Sequence, residues 1–302
     1  MHRDEGRRHD AQFGSKEVVM FRSVGRRLEF KYRIDEVTAR EVRSFIKDFL
    51  ESDRYGLGGG DPGYWVNSCY LDSKELHTFW HTVNGSRDRF KLRVRTYGDA
   101  LGETAFLEVK RRVDGFIEKS RVLVHRRGVD GLLAGRLPVE SDLLKPDREQ
   151  MEDAEHFVRS VEQIRAVPTA FVRYRREAWC GEEGDDRLTM DREVCVWPVT
   201  ALCWEGIASV EPARPFGQTV ILEMKFSNGK PRWFSDIERV LGLERTSAAK
   251  YCDGILTRGI ERFSPDGTMS PISGAVADDA TMLVNRGRRI VTGAGRGATR
   301  TE

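Results

Sequence analysis

Between residues 28 and 226 polar and apolar positions alternate in short runs of period two, the pattern of strands with one wet and one dry face. LEFKYRI sets Glu29, Lys31 and Arg33 against Phe30, Tyr32 and Ile34, and WVNSCYLDS sets Ser68, Tyr70 and Asp72 against Cys69 and Leu71. RFKLRVR places Arg89, Lys91, Arg93 and Arg95 on one face, with Phe90, Leu92 and Val94 on the other. AFLEVK pairs Glu108 and Lys110, and IEKSRVLV pairs Lys119 and Arg121. VRYRREAW groups Tyr174 with Arg176, DRLTMDR groups Arg187 and Thr189 with Asp191, and VILEMKF groups Glu223 with Lys225.

Three segments follow the helical period instead. Val42, Phe45, Ile46, Phe49 and Leu50 form one stripe, with Asp35 as its cap; Met151, Ala154, Phe157, Val158, Val161 and Ile164 form a second. Trp233, Phe234, Ile237, Val240 and Leu241, after Pro231, form the third. Residues 1–24 carry no sustained period, and residues from about 264 onward are rich in Gly, Ser, Thr and Arg. The expected organisation is a disordered tail over 1–24, a folded unit over 25–262 and a disordered basic tail over 263–302. That basic tail reads as solvated, and no nucleic-acid contact is expected from the core.

Composition changes this picture little. The 302 residues carry a net charge of only +2, the mean hydropathy is −0.52, and no run approaches the roughly 18 apolar residues of a membrane span. MHRDEGRRHD lacks a signal-peptide core, so a cytoplasmic location is the default expectation. Five widely spaced cysteines with no CxxC indicate neither a disulfide framework nor a zinc site. YGLGGGDPG lacks the lysine of a P-loop and reads as a turn. HTFWH spaces His77 and His81 for one helical face but lacks the Glu of HExxH, which favours packing histidines.

Charge sorting is the informative feature. The polar faces named above hold twelve positive groups against five negative ones, Glu29, Asp72, Glu108, Asp191 and Glu223. A solvated antiparallel sheet also alternates, yet it mixes signs, because like charges opposite one another destabilise it. Same-face neighbours lie about 6.6 Å apart, and two cations at that spacing repel by about 2.5 kcal/mol at an effective dielectric of about 20. Closing such strands around a wet lumen, with their dry faces packed outward on helices, gives an α+β fold: an antiparallel β-barrel tunnel with a charged lumen, flanked by a few helices. Its guest is a polyanion, and the remaining carboxylates suit an accompanying Mg²⁺ or Mn²⁺.

The order LEFKYR, SCYLDS, KLRVR, FLEVKRR with EKSR, YRREAW with RLTMD, LEMKF and a late AKY resembles the VTC domain over residues 26–256. This is the polyphosphate polymerase domain of the vacuolar transporter chaperone group, in the triphosphate tunnel metalloenzyme superfamily. The resemblance implies transfer of the terminal phosphoryl group of a nucleoside triphosphate such as ATP onto a polyphosphate chain. It places phosphate-binding groups at Lys31, Arg93, Arg95, Lys110, Lys119, Arg176, Arg187 and Lys250, with Tyr174 along the path and Glu223 as ligand of Mn²⁺ or Mg²⁺. Glu108 is a second metal candidate, Lys225 adds to substrate binding, and Arg89 and Lys91 line the mouth. Two positions depart: Arg27 stands where tunnel hydrolases carry the first Glu of ExExK, and Ala249 stands where the family carries Ser before Lys-Tyr. A triphosphate hydrolase and a non-catalytic polyanion-binding module therefore stay open beside the polymerase.

Overall fold

The computed structural model describes residues 28–53, 63–99, 102–114, 116–181, 186–202, 210–226 and 229–264. The two tails, most of YGLGGGDPG, Arg27 and Cys203 lie outside the described residues.

The alternating segments form strands: β1 (Leu28–Ile34), β2 (Glu51–Ser52), β3 (Tyr64–Asp72), β4 (Arg89–Tyr97), β5 (Thr104–Val113), β6 (Phe116–His125), β7 (Val167–Cys180), β8 (Arg187–Pro198) and β9 (Val220–Phe226). They make one antiparallel sheet in the order β1-β9-β8-β7-β3-β4-β5-β6, with β2 beside β7. The sheet curls strongly. Glu29 on β1, at one end of that order, reaches Lys110 on β5, next to the other end, at 3.1 Å. Among the described residues no backbone ladder joins β1 to β6, so charged side chains, not strand pairing, bring the two ends of the half-barrel together.

The six α-helices among the described residues build the walls or plug them. α1 (Glu36–Ile46) is capped by Asp35, whose side chain accepts from the Thr38 N–H at 2.8 Å, as its sequence predicts. α1 and α5 (Arg232–Val240) cover the outer face of β1, β8 and β9 through Val42, Ile46, Phe234 and Ile237. α3 (Val129–Leu133) and α4 (Arg148–Gln163) cover the outer face of β4, β5 and β6 through Leu132, Phe157 and Val158. The apolar strand faces thus pack outward against helices.

The inner face carries the expected charges over most of its length and is apolar at one end. Beyond Asp191 the ladder between β7 and β8 slips at Arg173/Arg175, with Glu193 at φ 54°. This bulge shifts the alternation, so that Val194 and Val196 turn inward in place of Glu193 and Cys195. Together with Val66, Ala170, Val172 and Ile221 they form an apolar floor, covered by α2 (His77–Val83) and α6 (Lys250–Arg258). Gly254 permits the close approach of α6: a Cβ there would lie 2.5 Å from a Val196 methyl. Asp72 anchors both helices, accepting from Thr78 and Phe79 of α2 and from the Tyr251 hydroxyl of α6 at 2.6 Å. The polar face of β3 therefore ends in a structural carboxylate. His77 and His81 stack on each other at 4.2 Å.

Candidate active site in the lumen

Three buried or half-buried carboxylate centres organise the cations of the inner face. The first is Glu108 on β5, only 1% exposed. Arg93 lies across the ladder from it on β4, and Arg121 lies opposite on β6. Arg93 Nε donates to Oε2, Arg95 Nη1 lies 3.8 Å from the same oxygen, and Lys119 Nζ and Arg121 Nε approach Oε1 at 3.2 and 3.1 Å. Four cations surround one carboxylate.

That excess of positive charge shows in the neighbouring acidities. Burial alone would raise the Glu108 carboxyl, but the four cations hold it well below the usual range. Burial, with repulsion from Arg121, Arg93 and Arg95, brings Lys119 down to about 7 despite its attraction to Glu108. Tyr70 accepts from Arg93 Nη1 at 3.2 Å and stacks on Tyr251. Its burial would raise the phenol, yet Arg93, Arg95 and Lys91 outweigh this and lower it to about 8. Arg95 is further held by Ser68 Oγ at 3.0 Å and Tyr174 Oη at 3.4 Å.

The second centre is the pair Glu29 and Glu223. Lys31 lies between them, 3.2 Å from Glu29 and 4.0 Å from Glu223. Lys110 binds Glu29 at 3.1 Å and Lys225 binds Glu223 at 2.5 Å. Burial would raise both carboxyls, and repulsion from Glu223 adds to this at Glu29, but the lysines, joined at Glu223 by Arg176, prevail: Glu29 falls to about 2 and Glu223 falls well below its ordinary value. Thr189, opposite Glu223 in the ladder, has a buried hydroxyl with no hydrogen-bond partner among the described residues.

The third centre is Asp191, fully buried. Arg176 grips it with two bonds of 2.6 and 2.7 Å, and Lys250, at the start of α6, reaches it at 2.7 Å. Arg176 and Lys250 also lie over the Tyr174 ring, at 5.2 and 4.7 Å from its centroid. Attraction to Asp191 keeps Arg176 well above its ordinary value against the pull of burial.

The structure thus brings together Lys31, Arg93, Arg95, Lys110, Lys119, Arg176, Lys225, Lys250, Tyr174 and Glu223 on one inner surface. Arg187 sits at its edge, bound to Asp53 at 3.2 Å. Lys91 lies 3.6 Å from Cys252 Sγ and over the Tyr251 ring, whereas Arg89 turns away to the Ser86 carbonyl. At the position of Ala249 the backbone N–H donates to Asp253 at 2.8 Å, and exposed Ser247 offers only its carbonyl, which takes Arg33. Arg121 joins the first centre without having been assigned a role from sequence; its place two residues beyond Lys119 on the same face was the available signal. Glu108 proves to be the hub of a cationic ring, not a neighbour of another carboxylate.

A surface of this kind suits a multiply charged anion, and comparison with family models bears on which. The VTC domain model matches residues 26–258. The chain belongs to the VTC domain family. VTC domains are triphosphate-binding tunnel enzymes, and the curled cationic sheet is the architecture that this membership implies. A search of curated proteins finds no match. Among solved structures, a Bacillus halodurans protein provisionally described as an adenylate cyclase aligns at 11% identity over 73% of this chain and 92% of its own, with a TM-score of 0.41. A likeness at that level decides nothing about chemistry. Among the described residues of this VTC domain, no helix is long and apolar enough to cross a membrane.

Proposed function

We propose that this VTC domain is a polyphosphate polymerase-like enzyme that transfers the terminal phosphoryl group of ATP to the end of a polyphosphate chain. The observation that carries the reading is the ring of four cations around Glu108, where burial together with the surplus positive charge brings Lys119 down to about 7, and Arg93 and Arg95, with Lys91, bring Tyr70 to about 8. Such a site is built to receive negative charge.

Phosphoryl transfer asks for in-line positioning and charge neutralisation more than covalent help from the protein. A terminal polyphosphate oxygen forms the new P–O bond to the γ-phosphorus as the bond to the β-phosphate oxygen breaks, leaving ADP and a chain one phosphate longer. Arg93 and Arg95 supply planar, directional donors to phosphate oxygens. Lys31, Lys110 and Lys225 supply mobile point charges, and Arg176 and Lys250, fixed by Asp191, hold the phosphates from the α6 side. Glu223 and Glu29, with the Thr189 hydroxyl opposite Glu223 that has no hydrogen-bond partner among the described residues, would hold a hard divalent cation. When bound, Mn²⁺ or Mg²⁺ would neutralise charge on the phosphates there.

Purified protein with ATP and Mn²⁺ is expected to yield ADP and long polyphosphate, resolved by size on a gel. Release of orthophosphate alone would assign the domain to triphosphate hydrolysis; tight, salt-sensitive triphosphate binding without product would make it a binding module.

Lys119 gives a second expectation. In the free site it loses its proton near pH 7, and a bound triphosphate draws the proton back. Affinity is therefore full below pH 7 and falls as pH rises above it, by at most about tenfold per unit. Lys119→Arg keeps its charge, and titration calorimetry between pH 6 and 9 is expected to give a flatter profile than wild type.

A further inference from the structure

Phosphate recognition needs no aromatic rings, yet one mouth of the lumen has an aromatic corner. β3 and β5 begin at this mouth and β4 ends there. Tyr64, Tyr97 and Phe106 stand on the inner faces of these strands, in alternation with Val66, Arg95 and Glu108. Tyr64 meets Tyr97 edge-on, with centroids 5.8 Å apart and planes at 64°, and Tyr97 meets Phe106 at 5.7 Å and 79°.

The rings differ in what already covers them. Arg121 lies 3.6 Å from the Phe106 centroid, and its Nη2 donates to the Tyr97 hydroxyl at 3.0 Å. Phe106 and Arg121 therefore fix the Tyr97 ring in place. Arg121 and Arg95 also lie over the Tyr97 ring, 5.7 and 6.0 Å from its centroid, yet Tyr97 remains 36% exposed, and half-buried Tyr64 forms the adjoining wall, beside Arg176 in the ladder. Tyr97 is one same-face step beyond Arg95 and two beyond Arg93, about 6.6 Å per step. A ribose bridges a gap of that order.

We propose that Tyr64 and Tyr97 form the stacking corner for the base of a nucleoside triphosphate, which enters through this mouth with its phosphates directed at Arg95 and Arg93. This assignment rests on the triphosphate reading of the lumen and adds which end receives the nucleoside. Stacking accepts any base with an exposed π-face, so purine triphosphates, with the larger face, bind better than pyrimidine ones.

The test compares ATP with inorganic tripolyphosphate, which has the anion without the base, by calorimetry on wild type, Tyr97→Leu, Tyr97→Phe and Tyr64→Leu. Tyr97→Leu and Tyr64→Leu are expected to weaken ATP about tenfold and to leave tripolyphosphate unchanged. Tyr97→Phe keeps the ring, loses only the bond from Arg121, and is expected to bind ATP as wild type does. Equal weakening of both ligands in the leucine variants would overturn the subsite, because the tyrosines would then act by holding Arg121 and Arg95. So would unchanged ATP affinity. If Tyr97→Leu does not fold, Tyr64→Leu makes the same comparison. Tripolyphosphate binding by wild type without any preference for ATP would remove the corner alone; binding of neither would remove the triphosphate reading beneath it.

Discussion

Arg93→Ala combined with Arg95→Ala is expected to lower kcat/KM for ATP by about 10³-fold or more, the scale reported for single arginines that stabilise a transferring phosphoryl group. Both guanidinium groups lie on the inner face of β4, and both are held by fixed partners: Arg93 by Glu108 and Tyr70, Arg95 by Ser68 and Tyr174. Binding a phosphate there costs little reorganisation, because the donors already stand in position. Glu108 keeps Lys119 and Arg121 in the double variant, so the carboxylate is not left bare and the fold survives. Each single variant should already show most of the loss, since groups acting as a unit are not additive. Arg95→Lys should not restore activity, because an ammonium cannot reproduce a planar two-point contact. The measurement is steady-state ADP release alongside tripolyphosphate affinity. A double variant that binds tripolyphosphate as tightly as wild type would take the anion site away from β4.

Glu108→Gln is expected to move stability and binding in opposite directions. The buried carboxylate screens four cations from one another, and removing its charge leaves them unbalanced at a cost of about 3–5 kcal/mol, as for other broken buried pairs. For a domain of this size that is a fall in Tm on the order of 10 °C. Tripolyphosphate should reverse more of the loss than it adds to wild type, because the anion then meets the ring without competition from Glu108. The sign with pH follows from the depressed carboxyl. A group whose folded pKa is lowered stabilises at pH above its unfolded value, about 4.3, and loses that contribution as pH falls through the folded one. The gap between wild type and Glu108→Gln should therefore be largest near pH 5, shrink in strong acid, and narrow again as pH rises and Lys119, no longer held charged by the carboxylate, sheds its proton. Differential scanning fluorimetry with and without tripolyphosphate reads all three effects. A variant that lost stability and affinity together would make Glu108 a positioner of Arg93 and Arg95, not a stand-in for the guest.

Much of the site could be read from local pattern. Period two places a residue on one strand face without reference to its neighbours, so the inward cations of β1, β4, β5, β6, β8 and β9 follow from sequence, as do α1, α4 and α5 with their apolar stripes and the Asp35 cap. Short α6 was not legible. Its nine residues mix Tyr251, Cys252 and Ile255 with Lys250, Asp253 and Arg258, and it takes its place only because Gly254 fits against Val196, far away in the chain.

Local pattern determined which groups face inward and that cations outnumber carboxylates among them. Which charges neutralise which was decided by register and curl. Glu108 gathers Arg93 and Arg95 from one flanking strand and Lys119 and Arg121 from the other. Asp191 draws Lys250 from a helix 59 positions later in the numbering, and Glu29 meets Lys110 only because the sheet bends its ends together. The bulge in β8 likewise decided where the charged face gives way to the apolar floor under α2 and α6. Alternation depends on backbone geometry residue by residue, whereas these meetings depend on strand pairing and closure, which no single segment encodes.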